Sequence, residues 1–225
     1  MRSRKENEMK TVKDYYKTRF NPVERKRKDK IWHSLCRYAF QKYISYGDVV
    51  LDIGAGYCEF INHIKCRRKI AIDINPETKK YANKNVEVFN LNIDSLKKTF
   101  REKIDVVFVS NFLEHLNCKE EIINIIDASY YVLKPGGKII VIQPNIKLVG
   151  ERYWDFIDHK QPLTVSSIVE ALMICNFRIV KTIEKFLPFT TKNSYPIFSW
   201  MIYMYLKVPF FLRIGTGQSL VVAKK

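Results

Sequence analysis

The stretch Val49-Val50-Leu51-Asp52-Ile53-Gly54-Ala55-Gly56-Tyr57-Cys58-Glu59 constrains this chain more than any other. Its first five residues are β-branched or aliphatic around one acid, the pattern of a parallel strand buried on both faces. Two glycines then break the run, and a helical pattern starts at Glu59. A second apolar run, Ile70-Ala71-Ile72, ends in Asp73. Strand, glycine turn, helix and an acid at the tip of the next strand make half of a nucleotide-binding βαβ unit.

The remaining chain fits around that unit. The spacing predicts strands at 49–53, 69–73, 86–91, 104–110, 138–143, 177–183 and 219–223, alternating with helices that start at 59 and 75 or cover 120–133 and 165–175. The run Ile104–Ser110 is almost continuously apolar, as a central strand should be. Lys134-Pro135-Gly136-Gly137 reads as the break after the 120–133 helix. Such alternation predicts a doubly wound α/β sheet with helices on both faces. Residues 10–46 read as two helices divided at Asn21-Pro22, the second with an apolar stripe from Ile31 to Tyr43.

One segment breaks the pattern. Residues 195–214 are rich in aromatic and apolar side chains, but the uninterrupted part is too short to span a bilayer, which needs about 20 residues. It reads as core or dimer packing first, and otherwise as a lid or an interfacial membrane element.

Charge sets a second boundary. The formal net charge is +16, and Arg25-Lys26-Arg27-Lys28 forms its densest cluster. Such a surface attracts nucleic acid, anionic headgroups or phosphorylated substrates, or is a solvated basic face with no partner. The five cysteines are scattered without metal-ligand spacing, so a reduced cytosolic protein with no metal is expected. The amino end lacks the apolar core of a signal peptide.

The turn itself separates two cofactor classes. A dinucleotide site wants three glycines, G-x-G-x-x-G, so that a pyrophosphate can sit against the helix end. Here the third glycine is absent, and Asp52 lies two residues before the first. S-adenosylmethionine carries a sulfonium and an ammonium instead of a pyrophosphate. A carboxylate beside the turn suits that cationic end, and glycines allow its close approach.

With these motifs in order, the chain resembles the class I S-adenosylmethionine-dependent methyltransferases, in particular the methyltransferase-11-like group. Val50–Gly56 is similar to that family's glycine-rich motif and Ala71–Asn75 to its acidic second motif. Ser110–Leu116 is similar to the segment after its fourth strand, and Leu133–Lys138 to the approach to its fifth. The resemblance implies a Rossmann-like, doubly wound, seven-stranded, mostly parallel sheet with an antiparallel last strand. It implies a helical amino-terminal cap over residues 1–46 and a methyltransferase domain over 47–225. It also implies that Asp52, Gly54 and Gly56 hold the methionine end, while Asp73, with Ile74 beside it, binds the ribose. Asn92 and Ile93 fall at the adenine edge, where the family usually has an acid and a small residue. Ser110 and Asn111 lie over the cofactor, and Cys58 stands where many members have a third glycine.

Tyr153–Thr164 resembles a bacterial subgroup with a W-D-F-x-D-H-x-x-P-L signature, associated with cell-surface polysaccharide and lipid-linked sugar pathways. That likeness implies O-methylation of a saccharide or glycolipid intermediate, with peripheral contact at the inner membrane face. A hydroxyl acceptor needs a base, and His159 with Asp158 beside it is the first candidate. His115 is the second, with Glu114 placed to orient either ring. Tyr153 and Trp154 are expected as an aromatic wall for a sugar or the sulfonium, or as core. An RNA methyltransferase is a less favoured alternative, suggested by the basic amino-terminal region. A non-catalytic S-adenosylmethionine-binding regulatory protein is another.

Overall fold

The computed structural model describes residues 22–190 and 198–225. The first expected helix, before Asn21, and the start of the 195–214 segment lie outside the described residues.

Seven strands form one sheet: β1 (Val49–Ile53), β2 (Arg68–Ile72), β3 (Val86–Phe89), β4 (Ile104–Ser110), β5 (Leu133–Pro144), β6 (Arg178–Pro188) and β7 (Thr216–Lys224). Their order is 3-2-1-4-5-7-6. β1 is buried at every position, as its aliphatic run predicts, and pairs in parallel with β2 and β4. β4 is the central strand, and β7 runs antiparallel between β5 and β6. The expected mostly parallel sheet with an antiparallel last strand is therefore the observed one.

Strand alternation divides the core in two. Val49, Leu51 and Ile53 enter one cluster, roofed by α4 (Ile93–Phe100), α5 (Lys119–Val132) and α7 (Val165–Ile174). Val50, Ala71, Val106 and Phe108 enter the other, beneath α1 (Pro22–Leu35) and α2 (Glu59–His63). There Phe60 stacks on Phe108, and Phe40 and Trp32 meet both rings edge-on. α1 continues through a π-helical turn at Cys36–Phe40 and a 3-10 turn at Gln41–Tyr43. Two short helices, α3 (Thr78–Tyr81) and α6 (Ile146–Val149), complete the connections up to the carboxyl-terminal α8 (Ser199–Lys207).

Three expectations need correction. The 134–137 stretch is not a break: β5 begins at Leu133, and its ladder with β4 slips between Ile104↔Leu133 and Val106↔Lys138. A bulge there, with Gly136 at φ 79°, carries the strand through the Pro-Gly-Gly run. The helix expected from Asn75 starts at Thr78, because Asn75 is used in a turn whose side chain accepts from the Glu77 N–H. No residue of α8 is buried, so this helix is not core. Ile202, Tyr205 and Leu206 pack on the second cluster, while Trp200, Tyr203 and Met204 face outward.

In such a sheet ligands sit beyond the carboxyl ends of the strands, where chain connection switches direction. That point lies between β1 and β4, and the glycine turn and Ser110-Asn111 both emerge there.

Candidate functional site

The turn after β1 is held by backbone bonds and by the acid of the next strand. Gly54 and Ala55 donate their N–H groups to the Ile72 carbonyl at 2.9 and 3.2 Å. Gly56 N donates to Asp73 Oδ2 at 2.6 Å and Asn75 N to Asp73 Oδ1 at 2.8 Å. Gly54 and Gly56 have φ of 71° and 52°, and Cys58 takes φ 60° although it is not glycine. The backbone at Cys58 therefore has the left-handed form that a glycine would adopt without steric cost.

Gly54 has a second constraint. A Cβ there would come within 2.5 Å of the Phe112 ring, so the glycine is needed for packing as well as for its dihedral angle. Gly54→Ala is expected to cost about 1–3 kcal/mol of stability, read from urea unfolding.

Three carboxylates surround the turn. Burial holds the Asp52 carboxyl well above the usual carboxylate range, and the charges of Glu59 and Asp73 push it the same way. Asp73 is also raised by burial, an effect opposed by backbone N–H donors from Asn75, Gly56 and Ile74. Lys28 of α1 meets Glu59 at 3.0 Å. A site that strains to keep its acids ionised favours a cationic ligand and opposes a phosphate.

A cavity of about 820 Å³ runs from this turn, lined by Asp52, Gly54, Gly56, Asp73, Ile74, Ser110 and Asn111. The lining also includes His115, Asp158 and His159, together with Phe156, Phe189, Met201, Ile202 and Tyr205. Two buried polar atoms among its lining residues have no partner in the protein, Asn111 Oδ1 and Tyr205 Oη. Burial pushes the Tyr205 hydroxyl up to about 12. Buried polar atoms of this kind are costly unless a ligand or water meets them.

The histidine end is built by two crossing segments. A 3-10 turn at Leu113–His115 follows β4, and the Phe156–Lys160 loop crosses it. Lys160 N and Gln161 N both donate to the Glu114 carbonyl, at 2.8 and 3.0 Å. His115 Nδ1 lies 3.0 Å from the Asp158 carbonyl and 3.3 Å from its carboxylate Oδ2. His159 is 9% exposed, and its Nδ1 sits 2.9 Å from the Tyr153 carbonyl. The two imidazoles lie with centroids 5.1 Å apart and their planes inclined at 60°.

This geometry changes the pairing expected from sequence. Asp158 lies against His115, through both its carbonyl and its carboxylate. Tyr153 is fully buried with its hydroxyl donated to the Gln161 carbonyl, and Trp154 is 56% exposed; neither lines the cavity. Asn92 caps α4 by accepting from Ser95 N, and neither it nor Ile93 is on the cavity wall. Phe156, Phe189 and Tyr205 are wall residues that sequence reasoning did not single out. Only the aromatic character of the 195–214 segment pointed toward Tyr205.

Residues 51–141 match the methyltransferase-11 family model, described as a methyltransferase domain. A comparison with curated protein sequences gives no match. Among solved structures, an S-adenosylmethionine-dependent methyltransferase from Archaeoglobus fulgidus is 24% identical, with 87% of this chain and 93% of that one covered and a TM-score of 0.63. One from Methanosarcina mazei is 20% identical, covering 82% and 95%, with a TM-score of 0.58. The [4+2]-cyclase SpnF is 14% identical, covering 88% and 80%, with a TM-score of 0.60. At such identities the likeness is one of fold, and one fold hosts different reactions.

Proposed function

We propose that this chain is an S-adenosylmethionine-dependent methyltransferase acting on a hydroxyl of a saccharide or lipid-linked glycan intermediate. The observation that supports this best is one cavity whose lining holds both the acids of the glycine turn and the two imidazoles. Its volume of about 820 Å³ lies within the range of about 300–1,000 Å³ usual for small-molecule sites.

Asp52, backed by Glu59, receives the cationic methionine end, and Gly54 and Gly56 keep the backbone open to it. A carboxylate has about four acceptor positions. Asp73 uses up to three of them on the backbone N–H groups of Gly56, Asn75 and Ile74, which leaves capacity for a ribose hydroxyl. Ile74, exposed and apolar on the cavity wall, offers a face to the adenine. Asn111 Oδ1 and Tyr205 Oη are the buried atoms that a bound ligand would satisfy. S-adenosylmethionine supplies a methyl group on a positively charged sulfur.

The residues of the histidine end act on the acceptor. Bound at the turn, the cofactor would supply its methyl carbon to the acceptor oxygen and keep the carbon–sulfur electron pair on sulfur, while the hydroxyl proton would pass to solvent water. His115, oriented by Asp158, and His159, fixed by Tyr153, form the centre that activates this hydroxyl. The apolar side wall suits the face of a sugar ring or the start of a lipid tail. No described helix is long and apolar enough to cross a membrane. Outward-facing Trp200, Tyr203 and Met204 on α8 suit peripheral contact at the inner membrane face, with the protein otherwise in the cytoplasm.

The test is transfer of labelled methyl from S-adenosylmethionine into cell extracts of a strain lacking this protein. Label in the glycan or glycolipid fraction is expected. Label in RNA, falling steeply with added salt, would replace this reading with the RNA alternative. Cofactor binding without any transfer would favour the regulatory binding protein.

A further inference from the structure

We propose that Glu114, His115 and His159 form a site for one divalent transition-metal cation at the acceptor end of the cavity. Its role in catalysis rests on the methyltransferase reading; its existence does not. One ligand atom from each of the three side chains lies within 4.8 Å of the other two. His115 Nε2 is 3.9 Å from Glu114 Oε1. Around a metal with bonds of about 2.0–2.2 Å, neighbouring ligand atoms stand roughly 3.0–3.5 Å apart. The His115–Glu114 pair therefore needs to close by less than about 1 Å, and no pair by more than about 2 Å.

Tautomer is fixed independently of that distance. A carbonyl oxygen only accepts, so the proton of His115 sits on Nδ1, facing the Asp158 carbonyl. The same holds for His159 Nδ1 and the Tyr153 carbonyl. In the singly protonated form of each ring, Nε2 is then the lone-pair nitrogen. A backbone carbonyl or carboxylate on the outer nitrogen of each ring is the support that metal-bound histidines use. The Glu114 side chain is buried, at 1% exposure, beside His115 Nε2.

The scaffold is already braced. Two backbone bonds from Lys160 and Gln161 to the Glu114 carbonyl lock the loop carrying His159 against the turn carrying Glu114 and His115. Two imidazoles and one carboxylate suit manganese, iron, cobalt, nickel or zinc better than magnesium or calcium, which prefer oxygen ligands. Three protein ligands leave coordination positions open to the cavity, where a hydroxyl of the acceptor can bind. A Lewis acid there lowers the pKa of that hydroxyl, so its proton passes to solvent water and no imidazole has to take it. The spacing that suggested no metal misses this site, because its third ligand comes from a separate loop.

The probe is Mn²⁺, titrated into chelator-stripped full-length protein and followed by the electron paramagnetic resonance signal of the free ion. One Mn²⁺ per chain is expected. His159→Ala and the isosteric Glu114→Gln should each weaken binding by about 100-fold or more, at or beyond the loss seen when only outer support is removed. Circular dichroism checks that both variants fold, and calorimetry should show unchanged S-adenosylhomocysteine binding. That control separates the two readings, since Asp73→Asn should lose the nucleoside and keep the metal. Absence of saturable Mn²⁺ binding in the wild type overturns the proposal. Equal binding by both folded variants overturns it as well.

Discussion

Asp52→Asn is expected to make the ligand-free protein more stable while weakening its hold on S-adenosylmethionine. The carboxyl is buried under the glycine turn beside Glu59 and Asp73, and its folded-state pKa is raised. Between its unfolded and folded pKa values the native protein binds more protons than the unfolded chain. Stability from this group is therefore present at low pH and is lost as pH rises through that window. Removing the charge lifts the penalty at neutral pH, so the melting temperature should rise by about 2–4 °C per kcal/mol gained. The stabilisation should vanish in acid, below the ordinary carboxylate pKa. Cofactor affinity should move the other way. A hydrogen bond to a charged group contributes about 1.5–3 kcal/mol, so binding should weaken by roughly 10–150-fold. A cation beside Asp52 also draws its pKa down. Binding below the raised pKa should then release a proton, seen as a calorimetric heat that changes with the buffer.

The second large effect belongs to the other end of the cavity. His115→Ala should lower methyl transfer by about 10²–10⁴-fold, the usual contribution of an acceptor-activating group. Affinity for S-adenosylhomocysteine should be unchanged, because the residues assigned to the nucleoside lie at the glycine turn. Asp158→Asn should cost much less, about tenfold, equivalent to roughly 1.4 kcal/mol of lost orientation. The reason is geometric: the Asp158 backbone carbonyl, 3.0 Å from Nδ1, survives the substitution and still fixes the tautomer. A large loss from Asp158→Asn with a small one from His115→Ala would reverse these roles.

That the glycine-turn residues line one cavity was readable in the sequence because a parallel sheet makes their meeting local. Asp52, Gly54, Gly56, Asp73, Ile74, Ser110 and Asn111 follow the carboxyl ends of β1, β2 and β4, and topology alone brings those ends together. The acceptor end had no such rule. His115 and His159 meet through a loop crossing fixed by backbone bonds to the Glu114 carbonyl, which no periodicity encodes. Asp158 was read beside its sequence neighbour, and its carbonyl and carboxylate both lie against His115. Tyr153 was read as a wall or as core and is core, since its hydroxyl finds the Gln161 carbonyl within its own loop. The aromatic segment was read first as core or dimer packing. α8 covers only one side of the second cluster, and its composition does not say which face would be left outside.

The central claim is that the glycine turn selects a sulfonium nucleoside over a dinucleotide. Isothermal titration of the full-length protein with S-adenosylhomocysteine, S-adenosylmethionine and NAD⁺ tests it most directly. The account predicts binding of both sulfur nucleosides with dissociation constants of about 1 µM–1 mM, the range of enzyme–substrate affinities. It predicts loss of that binding in Asp73→Asn, and none for NAD⁺. Binding of NAD⁺ in place of the sulfur nucleosides, or of none of the three, would contradict it.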